Sequence, residues 1–212
     1  MANASAPFGL KPVKHVDGSS WNGAMNMYLI PQADTNAYYL GDAVKSAAGG
    51  SLTAGVPAVT LAGTRNAALT TGNLRGVLVG VGSSVSTPGG SSPQAFDPDN
   101  LNIVYIPATK TKDYYVWVCD DPTVIYEAQA DTFASTAYNK NAPLFVANAP
   151  TAPVNQSASY VQGSAAAVTQ ALPLKIVGSP ARPDNDTATP GTNARVYVKI
   201  NQHELANNTV GV

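Results

Sequence analysis

RVYVKIN (195–201) alternates: Val196, Val198 and Ile200 fall on one side of an extended chain, and Arg195, Tyr197 and Lys199 on the other. A helix, with about 3.6 residues per turn, would scatter both sets around its axis, whereas a strand sorts them onto two faces. The pattern predicts a half-buried β-strand. Similar short runs recur outward from it: LKIVG (174–178), PLFVA (143–147), TVIYEAQ (123–129), DYYVWVCD (113–120), LNIVYIPA (101–108), GVLVGVG (76–82), AVTLA (58–62) and MNMYLI (25–30). β-Branched and aromatic residues fill them and Gly, Pro, Asp and Asn bound them, as strands and turns require.

Helical periodicity is scarce. ADTFASTAYNKN from Ala130 predicts one short helix with Asp131 as its N-cap. SAAAVTQAL from Ser164 reads either as a second helix or as an exposed excursion between Gly163 and Pro173. The predicted fold is therefore all-β with little helix: a single β-barrel or β-sandwich over residues 23–212, preceded by an extended, irregular N-terminal arm over residues 1–22. The chain's 18 glycines and 16 prolines suit many short strands joined by loops. GTRNAALTTGNL, SSVSTPGGSSPQ, NAPTAPVNQSAS and RPDNDTATPGTN read as such loops, since strand-like runs continue on both sides of each.

Charge narrows the partners. Asp, Glu, Lys and Arg make up 12% of the 212 residues, against about 25% in an ordinary domain. Residues 141–174 carry no charge, so the long loops are neutral and cheap to desolvate, which suggests a second contact surface there. A net charge of −1 argues against nucleic acid or an anionic membrane as partner. No run reaches the roughly 18 apolar residues of a membrane span, and the N-terminus lacks the apolar core of a secretory signal. The expectation is a protein made and used without crossing a membrane by the secretory route.

Catalytic constellations are missing from the pattern. His15 and His203 are the only histidines, and neither lies in a nucleophile motif. No Gly-rich phosphate cradle occurs. Cys119 stands alone, which rules out an intrachain disulfide or a multi-cysteine zinc site and reads as a small buried hydrophobe. The acidic pairs Asp97/Asp99 and Asp184/Asp186 lack the spacing of a calcium loop and flank prolines, as turn formers do. The expectation is a non-enzyme with no cofactor and no metal. The ten tyrosines, among them Tyr38, Tyr39, Tyr105, Tyr126 and Tyr197, fit either an interface or ordinary cross-strand packing.

The first twenty residues, MANASAPFGLKPVKHVDGSS, fit neither a helix nor an alternating strand, because Pro7, Gly9 and Pro12 interrupt them. Yet Phe8, Leu10, Val13 and Val16 give them apolar teeth. Such a segment is suited to order across a neighbouring subunit, or else to pack on its own barrel.

Five phrases and a terminal pair, in order, carry a resemblance: ANASAPFGLKPVKHVDGSSWNGA, YLIPQADTNAYYLGDAVK, GVLVGVGSSV, LNIVYIPATKTKDYYVWVCDDPTVIYEAQ, LKIVGSPARPDNDTATPGTNARVYVKINQHEL and the final GV. Together they resemble the head decoration, or cement, proteins of tailed bacteriophages. The resemblance spans most of the chain and weakens between about residues 140 and 172. It implies a non-enzymatic virion protein, made in the bacterial cytoplasm, that sits on the outer face of the capsid and bridges adjacent major capsid subunits. It also implies self-association, with a trimer favoured over a dimer. On that reading Pro7, Phe8, Leu10, Pro12, Val13 and Val16 are the expected contacts with capsid or neighbouring subunits. The alternative is a virion-surface β-module that binds a host receptor or glycan through Trp21 or Trp117, or a minor head or tail structural protein.

Overall fold

The 195–200 stretch is a strand with the expected faces: Val196, Val198 and Ile200 are buried, and Arg195, Tyr197 and Lys199 are half-exposed. The computed structural model describes residues 3–52, 55–82, 105–148, 156–187 and 191–206. Its strands in chain order are β1 (Lys11–His15), β2 (Asn26–Ile30), β3 (Tyr38–Tyr39), β4 (Ala43–Ser51), β5 (Val56–Leu61), β6 (Ala67–Leu69), β7 (Gly76–Val81), β8 (Tyr105–Ile106), β9 (Tyr114–Cys119), β10 (Val124–Gln129), β11 (Thr132–Phe133), β12 (Asn141–Ala142), β13 (Leu144–Val146), β14 (Tyr160–Val161), β15 (Leu174–Gly178), β16 (Gly191–Thr192) and β17 (Arg195–Ile200).

Two assemblies dominate this all-β fold. β2, β5, β4, β7 and β9 close into a barrel, its one parallel junction lying where Leu29 of β2 meets Ala58 of β5. Beside it, β1-β10-β17-β15-β12 forms an antiparallel sheet. One buried cluster joins the two, with Val77, Leu78, Val116 and Val118 from the barrel and Tyr126, Ile176, Val196 and Val198 from the sheet. β10 is buried along its whole length, which is why VIYEAQ shows no alternation. Cys119 is buried at the end of β9, where burial pushes its thiol pKa up and the Tyr126 hydroxyl donates to its carbonyl at 3.1 Å.

The predicted helix from Ala130 is instead the short strand β11 and a 3-10 turn at Ser135–Ala137. Asp131 caps no helix. Its Oδ1 accepts from the Thr132 and Ser164 amides, so it ties two loops together. Phe133 is buried against the edge of the Tyr138 ring, a tertiary contact that outweighs local helix propensity. Of the Ala-rich stretch, only Gly163–Ala165 makes a 3-10 turn, and Val168 beyond it is exposed. Part of the neutral 141–174 region is paired strand rather than loop, because Leu144, Val146 and Val161 belong to the core. Of LNIVYIPA, only the 105–108 portion lies within the described residues.

The largest difference lies at the N-terminus. Residues 11–15, expected to be irregular, form β1 and pair with β10, Lys11 opposite Glu127 and His15 opposite Val124. A register shift between Pro12 and Lys14 interrupts the ladder, which is how an edge strand tolerates a proline. Leu10 is 1% exposed and belongs to this chain's own core. Residues 10–15 thus pair with and pack against the β-sheet.

The C-terminal residues clamp sheet to barrel. The Leu74 amide donates to the Gln202 carbonyl at 2.8 Å, the Glu204 amide donates to the Leu74 carbonyl at 3.0 Å, and the Glu204 carboxylate accepts from the Ser46 amide and hydroxyl. Inside this clamp His203 is 1% exposed; its Nδ1 accepts from the Leu205 amide at 3.1 Å and its Nε2 meets no partner. Burial holds its pKa below the usual 6.5, with Arg75 acting in the same direction and Asp120, Asp121 and Glu204 opposing. The unfolded chain therefore takes up this proton more readily than the folded one, so stability falls as pH drops below about 6.5. Asn at this position keeps an acceptor for the Leu205 amide without the titration. His203→Asn is expected to flatten the loss of stability between pH 7.5 and 5, read from urea midpoints across that range.

Candidate functional site

Gly9 and Gly41 let the N-terminal segment lie down on its domain. Their backbones cross so closely that a Cβ on Gly9 would sit 2.4 Å from the Gly41 carbonyl oxygen, and one on Gly41 would sit 2.6 Å from the Phe8 carbonyl oxygen. Both take positive φ, 73° and 92°, the region glycine enters at least cost. The crossing is sealed by the Leu10 amide donating to Gly41 at 2.9 Å and the Gly9 amide donating to Ser159 at 3.1 Å. Further out, the Gln129 side chain accepts from the Ala6 amide and donates to the Ala4 carbonyl. Asn3 donates to the Asp186 and Thr192 carbonyls.

Between this strap and the domain runs an open groove of about 840 Å³. Phe8, Pro12 and Trp21 line it from the N-terminal side and Leu78 and Val79 from β7; Lys11 of β1, Glu127 of β10, Arg182 and Arg195 supply its charge, and Gln156 and Ala158 complete the lining. Glu127 is 8% exposed and takes a hydrogen bond from Arg182 Nη2 at 2.5 Å, with Arg195 Nη1 at 3.8 Å. Both arginines also reach Asp184 at 3.4 Å, and the Arg195 guanidinium lies 5.8 Å from the centre of the Phe8 ring. The mixture is that of a recognition surface: fixed aromatic and aliphatic side chains beside forked donors.

No protein-family model, curated protein or solved structure matches this chain.

The expected contact residues separate into three groups. Pro7, Phe8 and Pro12 are half-buried and line the groove. Leu10 reaches the groove from beneath, but as a core residue it has no side chain left to offer a neighbour. Val13 is half-buried in β1, and Val16, 57% exposed, stands beyond its end; neither lines the groove. Trp21 does line it, and its ring packs partly against the core.

Glu127, Arg182 and Arg195 are invisible as a site in the sequence, since 55 and 68 positions separate the arginines from the carboxylate; the β10–β17 pairing brings up Arg195, and Arg182 reaches in from the stretch after β15. Of the tyrosines, Tyr38, Tyr39 and Tyr126 are core residues, while Tyr105 stacks on Tyr39 and keeps an exposed edge. His15 lies at the surface beside Thr123 and Asp121, 3.1 and 3.4 Å away, far in sequence from His203. Among the described residues no three of His, Cys, Asp and Glu come together as a metal site would need. Asp97 and Asp99 lie outside the described residues. No helix there is long and apolar enough to cross a membrane.

Proposed function

We propose that this chain is a structural protein of a tailed-bacteriophage virion, one that binds the outer face of the icosahedral head and stabilises it by bridging adjacent major capsid subunits. The observation that carries this reading is where the phrases resembling head decoration proteins fall in the fold. Every residue lining the groove, except Gln156 and Ala158, belongs to one of those phrases. The groove is thus assembled from pieces of the resemblance that are scattered along the chain.

That surface suits the task physically. Half-buried Phe8, Pro12 and Trp21 offer area to bury on contact, at roughly 1.5–3 kcal/mol for each large side chain fully removed from water. Repetition over a symmetric shell, with the protein acting as a homo-oligomer and a trimer favoured over a dimer, turns modest contacts per copy into slow release. The role calls for no cofactor and no reaction.

The test is co-sedimentation of purified protein with expanded capsid shells that lack it, beside unexpanded shells. Saturable binding to expanded shells at a fixed ratio to the major capsid protein is expected. Failure to bind either shell would overturn the reading.

A further inference from the structure

We propose that the groove beneath the N-terminal strap is a docking site for an acidic, extended polypeptide segment, one that places a carboxylate beside an aromatic or aliphatic side chain. This deepens the reading above and rests on it for the partner's identity, a segment of the shell protein. The chemistry itself stands on the groove.

Charge is the first argument. The groove is lined by Lys11, Arg182 and Arg195 against the single carboxylate of Glu127, in a chain whose net charge is −1. Glu127 lies beneath the surface and is satisfied by Arg182. Lys11, directly opposite Glu127 in the β1–β10 ladder, is exposed. Both arginines are partly exposed, and Asp184, which shares them from outside the groove, is itself largely in water. Exposed ion pairs of that kind contribute little, so an incoming carboxylate can take their place at small cost. The arginine forks then provide paired donors that a carboxylate matches in plane.

Shape and apolar lining supply the second argument. The open groove's volume of about 840 Å³ is comparable to the roughly 300–1,000 Å³ of clefts that hold drug-sized ligands. Trp21 is held by packing against the core, and the Gly9–Gly41 crossing fixes the Phe8 backbone, leaving its half-buried ring beside the Arg195 guanidinium, so both side chains lose little conformational freedom on binding. Nucleic acid is disfavoured because three cations, two of them already ion-paired with Glu127, cannot replace the many phosphate contacts that drive its binding.

The test uses the full chain and three probes: a capped hexapeptide alternating aspartate with phenylalanine and leucine, the same peptide with asparagine for aspartate, and an oligogalacturonate of equal charge. Affinity is read by calorimetry at low and high salt. The acidic peptide is expected to bind saturably, and at least roughly tenfold more weakly in high salt or to a Lys11→Glu/Arg195→Gln variant, since its recognition is largely electrostatic. Arg182 stays in that variant so that Glu127 keeps a partner, and an unchanged circular dichroism spectrum and melting temperature confirm the fold. Should the double variant not fold, Lys11→Glu alone, at an exposed position, is expected to show the same direction.

Equal binding of the asparagine peptide, binding unaffected by the variant, no binding of the acidic peptide, or a preference for the oligogalacturonate would each overturn the proposal. The shell experiment separates it from the reading it rests on. Wild type and variant binding expanded shells equally would sink the groove while leaving decoration intact. Peptide binding without shell binding would do the reverse.

Discussion

Replacing Arg65 with Met is expected to destabilise the protein by about 3 kcal/mol, because it strands a carboxylate in the core. Asp42 is 0% exposed at its side chain and Arg65 only 16%, and the pair closes at 2.5 Å. Arg65 also donates to the Ala37 and Ala147 carbonyls, while Asp42 accepts from the Tyr39 amide and the Ser157 hydroxyl. One ion pair thus binds the β3–β4 turn to two distant stretches of chain. A buried charge left without its partner typically costs about 3–5 kcal/mol. The low end applies here, since the Tyr39 and Ser157 donors stay with the carboxylate and the guanidinium touches water. Pairing the change with Asp42→Asn removes the stranded charge, so the double variant is expected to recover a large part of the loss. Urea midpoints of the two single variants and the double variant measure both quantities. A loss below about 1 kcal/mol in Arg65→Met would show that the pair is hydrated and not structural.

Leu10→Ala is expected to cost about 2–5 kcal/mol, the range for truncating a fully buried leucine. Total stability is typically about 5–15 kcal/mol, so this variant approaches the limit of folding. An arm that only reached toward a neighbour would lose nothing from the same change. Removing residues 2–16 altogether is expected to be worse still. It takes Leu10 out of the core, exposes the edge of β10 that β1 covers, and frees the Gln129 side chain from Ala4 and Ala6. Bare edge strands invite pairing with other chains, so aggregation is the expected outcome. Thermal melting and size-exclusion chromatography read both effects. A truncated chain that stayed monodisperse with an unchanged melting temperature would mean that the strap contributes nothing to the fold. Phe8→Ala, half-buried and facing the groove, is therefore the variant that probes contact without removing the scaffold.

The strands legible in the sequence were those with dense β-branched and aromatic runs. RVYVKI, YYVWVC and GVLVGV each became a strand within a residue or so of the expected bounds. β4 escaped because AVKSAAGGS is built from small residues with poor strand preference; its pairing with β5, bulged between Ala47 and Gly50, is imposed by register and not by composition. β1 escaped because its proline, Pro12, argues against a strand in general but not against an edge strand, and nothing local says that Lys11 will pair with Glu127. The same limit governs the site. Phe8 and Pro12 stood out as apolar residues in an unstructured-looking segment. Glu127, Arg182 and Arg195 are ordinary charges until β10 and β17 pair, which brings Arg195 over the carboxylate, and the stretch after β15 folds back to bring Arg182 there. Asp131 misled for a related reason: a cap residue followed by a plausible helix is a local signal, and the buried Phe133 overrode it.

Electron cryo-microscopy of expanded shells reconstituted with the protein would show both whether it binds the capsid and which face it uses. The expected map has density on the outer surface over junctions between major capsid subunits, with the groove formed by Phe8, Trp21, Arg182 and Arg195 turned toward the shell and occupied by a segment of it. Shells without added density, or density with that groove open to solvent, would contradict the account.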